Sequence, residues 1–442
     1  MTTMPEPPGF IVAATASGSG KTMLTAGMLR HFRRRGVAVA PFKTGPDYID
    51  AGFLAAAAGR DCANLDCWAM RPETIAGLAT GLGADSDLII GEGVMGLFDG
   101  AADGTGSTAD LAALTGWPVL LVVNARAQAG SIAALVEGFV GHRPQLSVGA
   151  VICNRVGSPN HRAMLDEALA GMTPALCVLE YLPTDPALAL PARHLGLVQA
   201  SEHAALDDFL DTAAAFVAAH LDLDRLRHYA RPGGLAGPQA PLLAAPFGQR
   251  IAVARDDAFA FCYPALLESW RAQGAEVSFF SPLDDQIPDP AADAIYLPGG
   301  YPELHAGRLA GNLAFKRALT RAAAARTAIY GECGGYMVLG RGLVDSDGVR
   351  HAMTGLLALE TSFLQRRRQL GYRRLRTRTA SLLGRPGAQF TGHEFHYATS
   401  VSEGPGDRLF DCADSRGNAL PPAGLVAQNT AGSFIHLIDC AP

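Results

Sequence analysis

Short apolar runs alternate with stretches of helical period along the first 180 residues, the pattern of parallel strands joined by crossover helices. The runs predict strands over 10–15, 37–43, 88–91, 119–124 and 148–154, with helices over 21–32 and 129–139. An amphipathic helix follows over about 204–226, and then RPGGLAGPQAPLLAAPFGQ (231–249), which has no period and reads as a linker. A second α/β pattern begins beyond it, with strands over 251–254, 276–280, 294–297 and 327–330. There is no internal repeat and no heptad array. The expected organisation is a domain over 1–230, a linker over 231–249 and a second domain over 250–442, both α/β.

Composition narrows the class. Apolar residues are 49% of the 442 positions and charged residues 18%, enough for two buried cores and too much for a disordered chain. The net charge of −6 argues against nucleic acid as a partner, since a phosphate-binding surface needs a basic excess. No apolar run approaches the roughly 20 residues of a bilayer span. MTTMPEPPGF lacks the basic start and apolar stretch of a signal peptide, and eight scattered Cys suit a reducing compartment. A cytoplasmic protein with no membrane partner is expected, with a homodimer as the default assembly. Only three Lys (Lys21, Lys43, Lys316) stand among 36 basic residues, so each Lys points to chemistry. Two of them lie in the motifs below.

Ala14-Thr15-Ala16-Ser17-Gly18-Ser19-Gly20-Lys21-Thr22 follows the first predicted strand and opens a helix. Small residues let backbone N–H groups wrap phosphate oxygens, Lys reaches the β- and γ-phosphates, and a Ser/Thr hydroxyl reaches Mg²⁺. ATP and Mg²⁺ are therefore the expected cofactors, with Thr15, Ser17, Gly18, Ser19, Gly20, Lys21 and Thr22 as candidate contacts. The usual pattern has Gly where Thr15 stands, a departure shared with dethiobiotin-synthetase-like enzymes. KTGPDYID (43–50) follows the second strand and GEGVMGLFDG (91–100) the third, both at the carboxyl edge where ligands collect. Among Asp47, Asp50, Glu92 and Asp99, carboxylates can hold Mg²⁺ on the phosphates, or act singly as helix caps or solvated side chains. Asn154-Arg155 ends another strand, where it can read an adenine ring or bond its own turn.

In the second domain, TAIYGECGGYMVLG (327–340) reads as strand, tight turn and helix with Cys333 at the turn. This is a nucleophile elbow carrying sulfur, and a helix N-terminus behind it is expected to lower the thiol pKa. LPGGYP (297–302) offers the N–H groups of two glycines for an oxyanion, and His436 in SFIHL can pair with the thiol. Cys62 and Cys67 have no second pair and do not read as a zinc site. His393 and His396 alternate at strand spacing, open to ligation, substrate contact or packing. Arg366, Arg367, Arg368, Arg373, Arg374, Arg376 and Arg378 read as a solvated strand face or as a dock for a small polyanion. A thiol–His site fits ammonia release from glutamine, and an ATP–Mg²⁺ site fits activation of an acid as an acyl phosphate. Together they amount to glutamine-dependent amidation.

These segments, with ICNRVGS, LPARHLGLV, LPGGYPELHA and GHEFHYA, resemble those of the cobyrinic or hydrogenobyrinic acid a,c-diamide synthase family. The resemblance runs from residue 14 to residue 437. It implies an N-terminal P-loop, dethiobiotin-synthetase-like parallel-sheet domain and a C-terminal triad-type glutamine amidotransferase domain. It also implies ATP- and glutamine-dependent amidation of the a and c acetate side chains of a corrinoid polycarboxylic acid. Carried over by position, Cys333 is the nucleophile, His436 raises its reactivity and Gly300 belongs to the oxyanion hole. Lys21, Thr22, Asp47 and Glu92 match the nucleotide and metal site, with Thr22, Asp47 and Glu92 as Mg²⁺ ligands. Asn154 and Arg155 fall on the nucleotide side, and Lys43, Asp47, Tyr48, Asp50 and Asp99 on the substrate side. Two departures stand out. Ile438 occupies the place of the Glu that triad amidotransferases carry two residues after the His, leaving a Cys–His dyad or an acid such as Asp439. Asn124 stands where an Asp is expected. Rival readings are cobyric acid synthase, nickel-sirohydrochlorin a,c-diamide synthase, and a P-loop switch ATPase with a regulatory glutaminase-like domain. Glutamine use dependent on Cys333 separates the last from the others.

Overall fold

Seven strands of the N-terminal half, β1 (Pro8–Ala14), β2 (Val39–Thr44), β3 (Ala63–Leu65), β4 (Leu88–Glu92), β5 (Val119–Asn124), β6 (Ala150–Val156) and β7 (Val178–Pro183), form one sheet. Its order is β3-β2-β4-β1-β5-β6-β7 and every one of these pairings is parallel. Such strands carry near-continuous apolar residues because both faces are covered. On one face α1 (Lys21–Arg34), α2 (Ile49–Ala58) and α3 (Leu206–His220) bury Leu24, Met28, Leu54 and Val217 against Phe10, Val12, Ile90 and Val122. The chain places β2, β3 and β4 on one side of β1 and β5, β6 and β7 on the other, so the crevice beyond the carboxyl end of β1 is the switch point at which ligands collect.

The computed structural model describes residues 7–172, 176, 178–189, 192–193, 196–237 and 243–441. Leu190, Pro191, His194 and Leu195 of LPARHLGLV and residues 238–242 of the Pro/Gly-rich stretch lie outside the described residues. The stretch is tied at both ends. Arg231–Pro232 pairs antiparallel with β1, while Leu243 and Ala244 are buried and Phe247 packs edge-on to Trp270. The single helix expected over 204–226 is two, α3 and α4 (Leu223–Tyr229), because the Asp222 side chain accepts the Arg225 N–H and starts a new helix.

By Cα proximity the chain forms two units, Met1–Trp68 with Pro72–Pro241, and Ala69–Arg71 with Leu242–Pro442. The second unit holds β8 (Arg250–Ala254), β9 (Glu276–Phe280), β10 (Ala294–Leu297), β11 (Ala328–Glu332), β12 (Gln369–Thr377) and β13 (Gln389–His396). It is completed by β14 (Asp407–Ala413), β15 (Ala419–Ala427), β16 (Thr430–Ser433) and β17 (Ile435–Cys440). The order is β9-β8-β10-β11-β16-β15-β14-β12-β13-β17. The pairings from β9 to β16 are parallel and the rest antiparallel. Only Phe434 separates β16 from β17 in sequence, although four strands lie between them in the sheet. The antiparallel half must therefore curl back on itself, as a closing barrel does. That curl returns β17, with His436, to the end of β11. None of the described helices is long and apolar enough to cross a membrane.

Candidate functional site

The first site is built at the carboxyl ends of β1, β2 and β4. Gly20 closes the loop after β1 at φ 98°, a left-handed conformation that glycine adopts freely, and a Cβ there would meet Asn154 Nδ2 at 2.4 Å. From β6, Asn154 Nδ2 donates to Ser19 O at 2.9 Å and Arg155 Nη2 to Gly18 O at 2.8 Å. Asn154 Oδ1 accepts the Arg155 N–H, the local bond read from the sequence, while the other donors brace the loop. Thr15 is half-buried, and Ser17 and Gly18 are exposed. Lys21 Nζ, lowered in pKa by burial, donates to Met95 O at 2.6 Å.

One buried charge cluster ties the two acidic segments to this loop. Thr22 Oγ1 donates to Glu92 Oε1 at 2.8 Å, and Lys43 Nζ donates to the same oxygen at 2.9 Å and to Asp50 Oδ2 at 2.6 Å. Burial pushes Glu92 up to about 7, against the pull of Lys43. Burial works the other way on Lys43, but the Asp50 and Glu92 carboxylates hold its pKa above the ordinary value. Glu92 Oε2 is buried with no hydrogen-bond partner. An orphaned carboxylate oxygen beside a threonine hydroxyl fits a cation that takes most of its ligands from phosphate and water, as Mg²⁺ does. Among the described residues no three His, Cys, Asp or Glu side chains converge as a closed metal cage. Asp47 Oδ1 accepts the N–H groups of Ile49 and Asp50 at the start of α2, and burial followed by the Asp50 carboxylate raises it to about 6. Tyr48 precedes α2, half-buried. Asp99 Oδ2 accepts the Gly96 N–H at 2.8 Å, with its charge acting on Lys21.

The second site lies between β11 and α5 (Gly334–Leu339). Cys333 links them at φ 47°, ψ −104°, a strained backbone that turns the thiol out of the strand. The expected lowering of its pKa is not what the fold produces. The helix has six residues, and burial pushes the thiol far up against the single Gly334 N–H that favours the thiolate. Gly299 ends β10's turn where a Cβ would fall 2.3 Å from His436 Cε1, 3.1 Å from its Nε2 and 3.2 Å from Cys333 Cβ. Thiol and imidazole thus flank one point that only glycine leaves open. A Cβ on Gly334 would lie 3.1 Å from Gly300 N, so the N–H groups of 300 and 334 are neighbours suited to an oxyanion.

His436 is buried, and its pKa falls to about 3 through burial first and then the nearby His393 and His396. The Asp439 carboxylate is engaged by Arg71. Within the second unit that carboxylate accepts the Arg71 backbone N–H at 2.9 Å and the guanidinium at 3.0 Å. Ile438 is buried and apolar. The acid next to the imidazole is Glu332, which the sequence reading passed over, with Oε2 at 3.8 Å from Nδ1. Its signal was a lone carboxylate at the end of an apolar strand.

His396 bonds Glu394 and Ala398 O and stacks on Phe434 at 4.0 Å, while His393 meets Tyr372 edge-on. Of the arginine run, Arg373 pairs with Glu394 and Arg378 with Asp411, while Arg366–Arg368, Arg374 and Arg376 are exposed. A cavity of about 350 Å³ beside the His436 strand is lined by Arg367, Glu394, Glu403 and Ile435, among others.

Residues 10–198 match the model of the CobQ/CobB/MinD/ParA nucleotide binding domain, and 250–440 that of the CobB/CobQ-like glutamine amidotransferase domain. Hydrogenobyrinate a,c-diamide synthase of Rhizobium meliloti is 54% identical over 98% of this chain and 99% of its own. The chain belongs to the hydrogenobyrinate a,c-diamide synthase family. The proteins of that name from Brucella abortus (54% identity, 98% of each chain) and Rhodobacter capsulatus (50%, 98% of this chain and 99% of the relative) are similar over the same extent. As a member of this family the chain is a carbon–nitrogen ligase with a nucleotide-binding domain and a glutamine amidotransferase domain. The P-loop cluster lies in the first and the Cys333 elbow in the second.

Proposed function

We propose that this chain converts the a and c acetate side chains of hydrogenobyrinic acid into carboxamides, using ATP and glutamine. The carrying observation is a phosphate-binding loop and a thiol–imidazole elbow on one chain that matches relatives of that name nearly end to end. We assign 1–230 to acid activation, 250–442 to ammonia release and 231–249 to the connection.

In the first reaction a side-chain carboxylate oxygen attacks the γ-phosphorus of ATP, giving an acyl phosphate and ADP. The loop N–H groups and Lys21 balance the phosphate charge, while Lys43, paired with Asp50 and Glu92, lies on the substrate side. Thr22, Glu92 and Asp47 would hold Mg²⁺, which when bound neutralises charge on the β- and γ-phosphates. Tyr48, Asp50 and Asp99 face the reacting carboxylate. In the second reaction Cys333 Sγ attacks the glutamine carboxamide carbon while His436 Nε2 takes the thiol proton and returns it to the departing ammonia. The N–H groups of Gly300 and Gly334 stabilise the oxyanion, and water then cleaves the thioester to glutamate. Ammonia displaces phosphate from the acyl carbon, completing the amide.

Incubation with ATP, Mg²⁺, glutamine and either hydrogenobyrinic or cobalt-containing cobyrinic acid, followed by mass spectrometry, tests the reading. A double amidation of the metal-free acid is expected. Cys333→Ala is expected to abolish glutamine use and leave amidation with ammonium intact; loss of both in a folded variant would refute the two-site assignment.

A further inference from the structure

We propose that Glu332, the residue immediately before the nucleophile, positions His436 and takes the part that an acid two residues after the histidine plays in triad amidotransferases. The inference rests on the reading of Cys333 and His436 as the glutaminase pair. Glu332 is 2% exposed at the end of β11. Its Oε1 accepts the Leu437 N–H at 3.1 Å, which pins the residue next to His436 directly to this carboxylate. Its Oε2 accepts the Tyr296 hydroxyl at 2.8 Å and lies 3.8 Å from His436 Nδ1.

That arrangement sorts the two imidazole nitrogens. Nδ1 faces the carboxylate, whereas Cε1 and Nε2 face the Gly299 gap shared with Cys333. Once ionised, Glu332 at Nδ1 favours the tautomer with its proton there, leaving the Nε2 lone pair for the thiol. When the imidazole takes the thiol proton, the same carboxylate stabilises the cation. Of the nearby positions among the described residues, Ile438 has no charge, Asp439 is held by Arg71, and Glu394 is engaged by Arg373 and His396. The groups around Glu332 are Tyr296, Tyr330, Cys262 and the Leu437 N–H; those around His436 are Glu332 at Nδ1, His393, His396 and Glu394; and Glu303, Glu332 and Glu394 act on Cys333.

A purely structural Glu332 would need only its bonds to Leu437 N–H and the Tyr296 hydroxyl, and Gln keeps an oxygen that accepts from the first and an amide NH₂ that can donate to the oxygen of the second. Its amide NH₂ cannot balance an imidazolium and, placed toward Nδ1, favours the wrong tautomer. With the full chain, ATP, Mg²⁺ and the corrinoid acid, Glu332→Gln is expected to lower kcat with glutamine by roughly 10²- to 10⁴-fold. KM for glutamine should stay within about threefold and ammonium-driven amidation should be unchanged. Tyr296→Phe keeps the carboxylate but removes a donor that favours its charged form, so the acidic limb of the glutamine kcat profile should move to higher pH. A Glu332→Gln enzyme within about tenfold of the parent in glutamine kcat would overturn the proposal, and so would an unmoved acidic limb in Tyr296→Phe. Glutamine use that survives Cys333→Ala would instead sink the glutaminase reading itself, an outcome the other two variants do not produce.

Discussion

Gly299 has no room for a methyl group. A Cβ there would overlap the His436 ring at 2.3 Å, so Gly299→Ala must displace either the imidazole or the turn. Glutamine-dependent turnover is expected to fall by about tenfold or more with ammonium-driven turnover preserved, in steady-state assays with each nitrogen source. Lys43 poses the opposite problem, a cation that cannot be deleted cheaply. Lys43→Met leaves Glu92 and Asp50 without their counter-ion, with a cost of about 3–5 kcal/mol in urea unfolding. Adding Glu92→Gln should recover part of that loss. Glu332 makes a pH-dependent prediction. Burial raises its folded pKa from the ordinary 4.5 to about 8, so the stability of the fold falls progressively as pH rises through that window. Relative to the parent, the Tm of Glu332→Gln should therefore improve between pH 5 and pH 9. A constant Tm difference in melts at the two pH values would contradict the buried-acid account.

At the scale of elements, the loop after β1 is shaped partly by β6. Removing the Asn154 amide deletes the bond to Ser19 O, so Asn154→Ala should weaken nucleotide binding by about 5- to 30-fold, read by titration with a fluorescent ATP analogue. Glutaminase kcat should not change with it. Undiminished nucleotide affinity would mean that the loop holds its shape without the brace. The strand-to-loop-to-helix pattern was legible because each part is local: apolar β1, small residues, then Lys21-Thr22 opening α1. The break at Asp222 was not, because an amphipathic period runs on through a residue whose side chain happens to cap a new helix. Similarly, the helix after Cys333 was legible but its electrostatic effect was not, since burial outweighs one N–H on a six-residue helix.

For the whole molecule, two units carry two half-reactions, and damage should sort accordingly. Thr22→Val, which removes a hydroxyl from the P-loop cluster, is expected to silence amidation from both nitrogen sources by about 10²-fold, whereas loss of Cys333 silences only glutamine. Product mass with ammonium as donor distinguishes them, and equal loss in both variants would refute the division of labour. What the sequence determined by itself was everything that depends on near neighbours: two α/β units, the phosphate loop, the thiol elbow and the acidic segments on one sheet edge. Its motif spacing also pointed to a family that nearly full-length identity bears out. The tertiary structure alone decided which charges share a proton environment and which acid meets the histidine. Lys43 reaches both Asp50 and Glu92 because β2 and β4 lie side by side, and Glu332 meets His436 because the antiparallel strands curl β17 back to β11. Leu437 and Glu332 are 105 residues apart in the chain. No local pattern encodes such a contact, because its energy depends on burial and closure of the sheet as a whole.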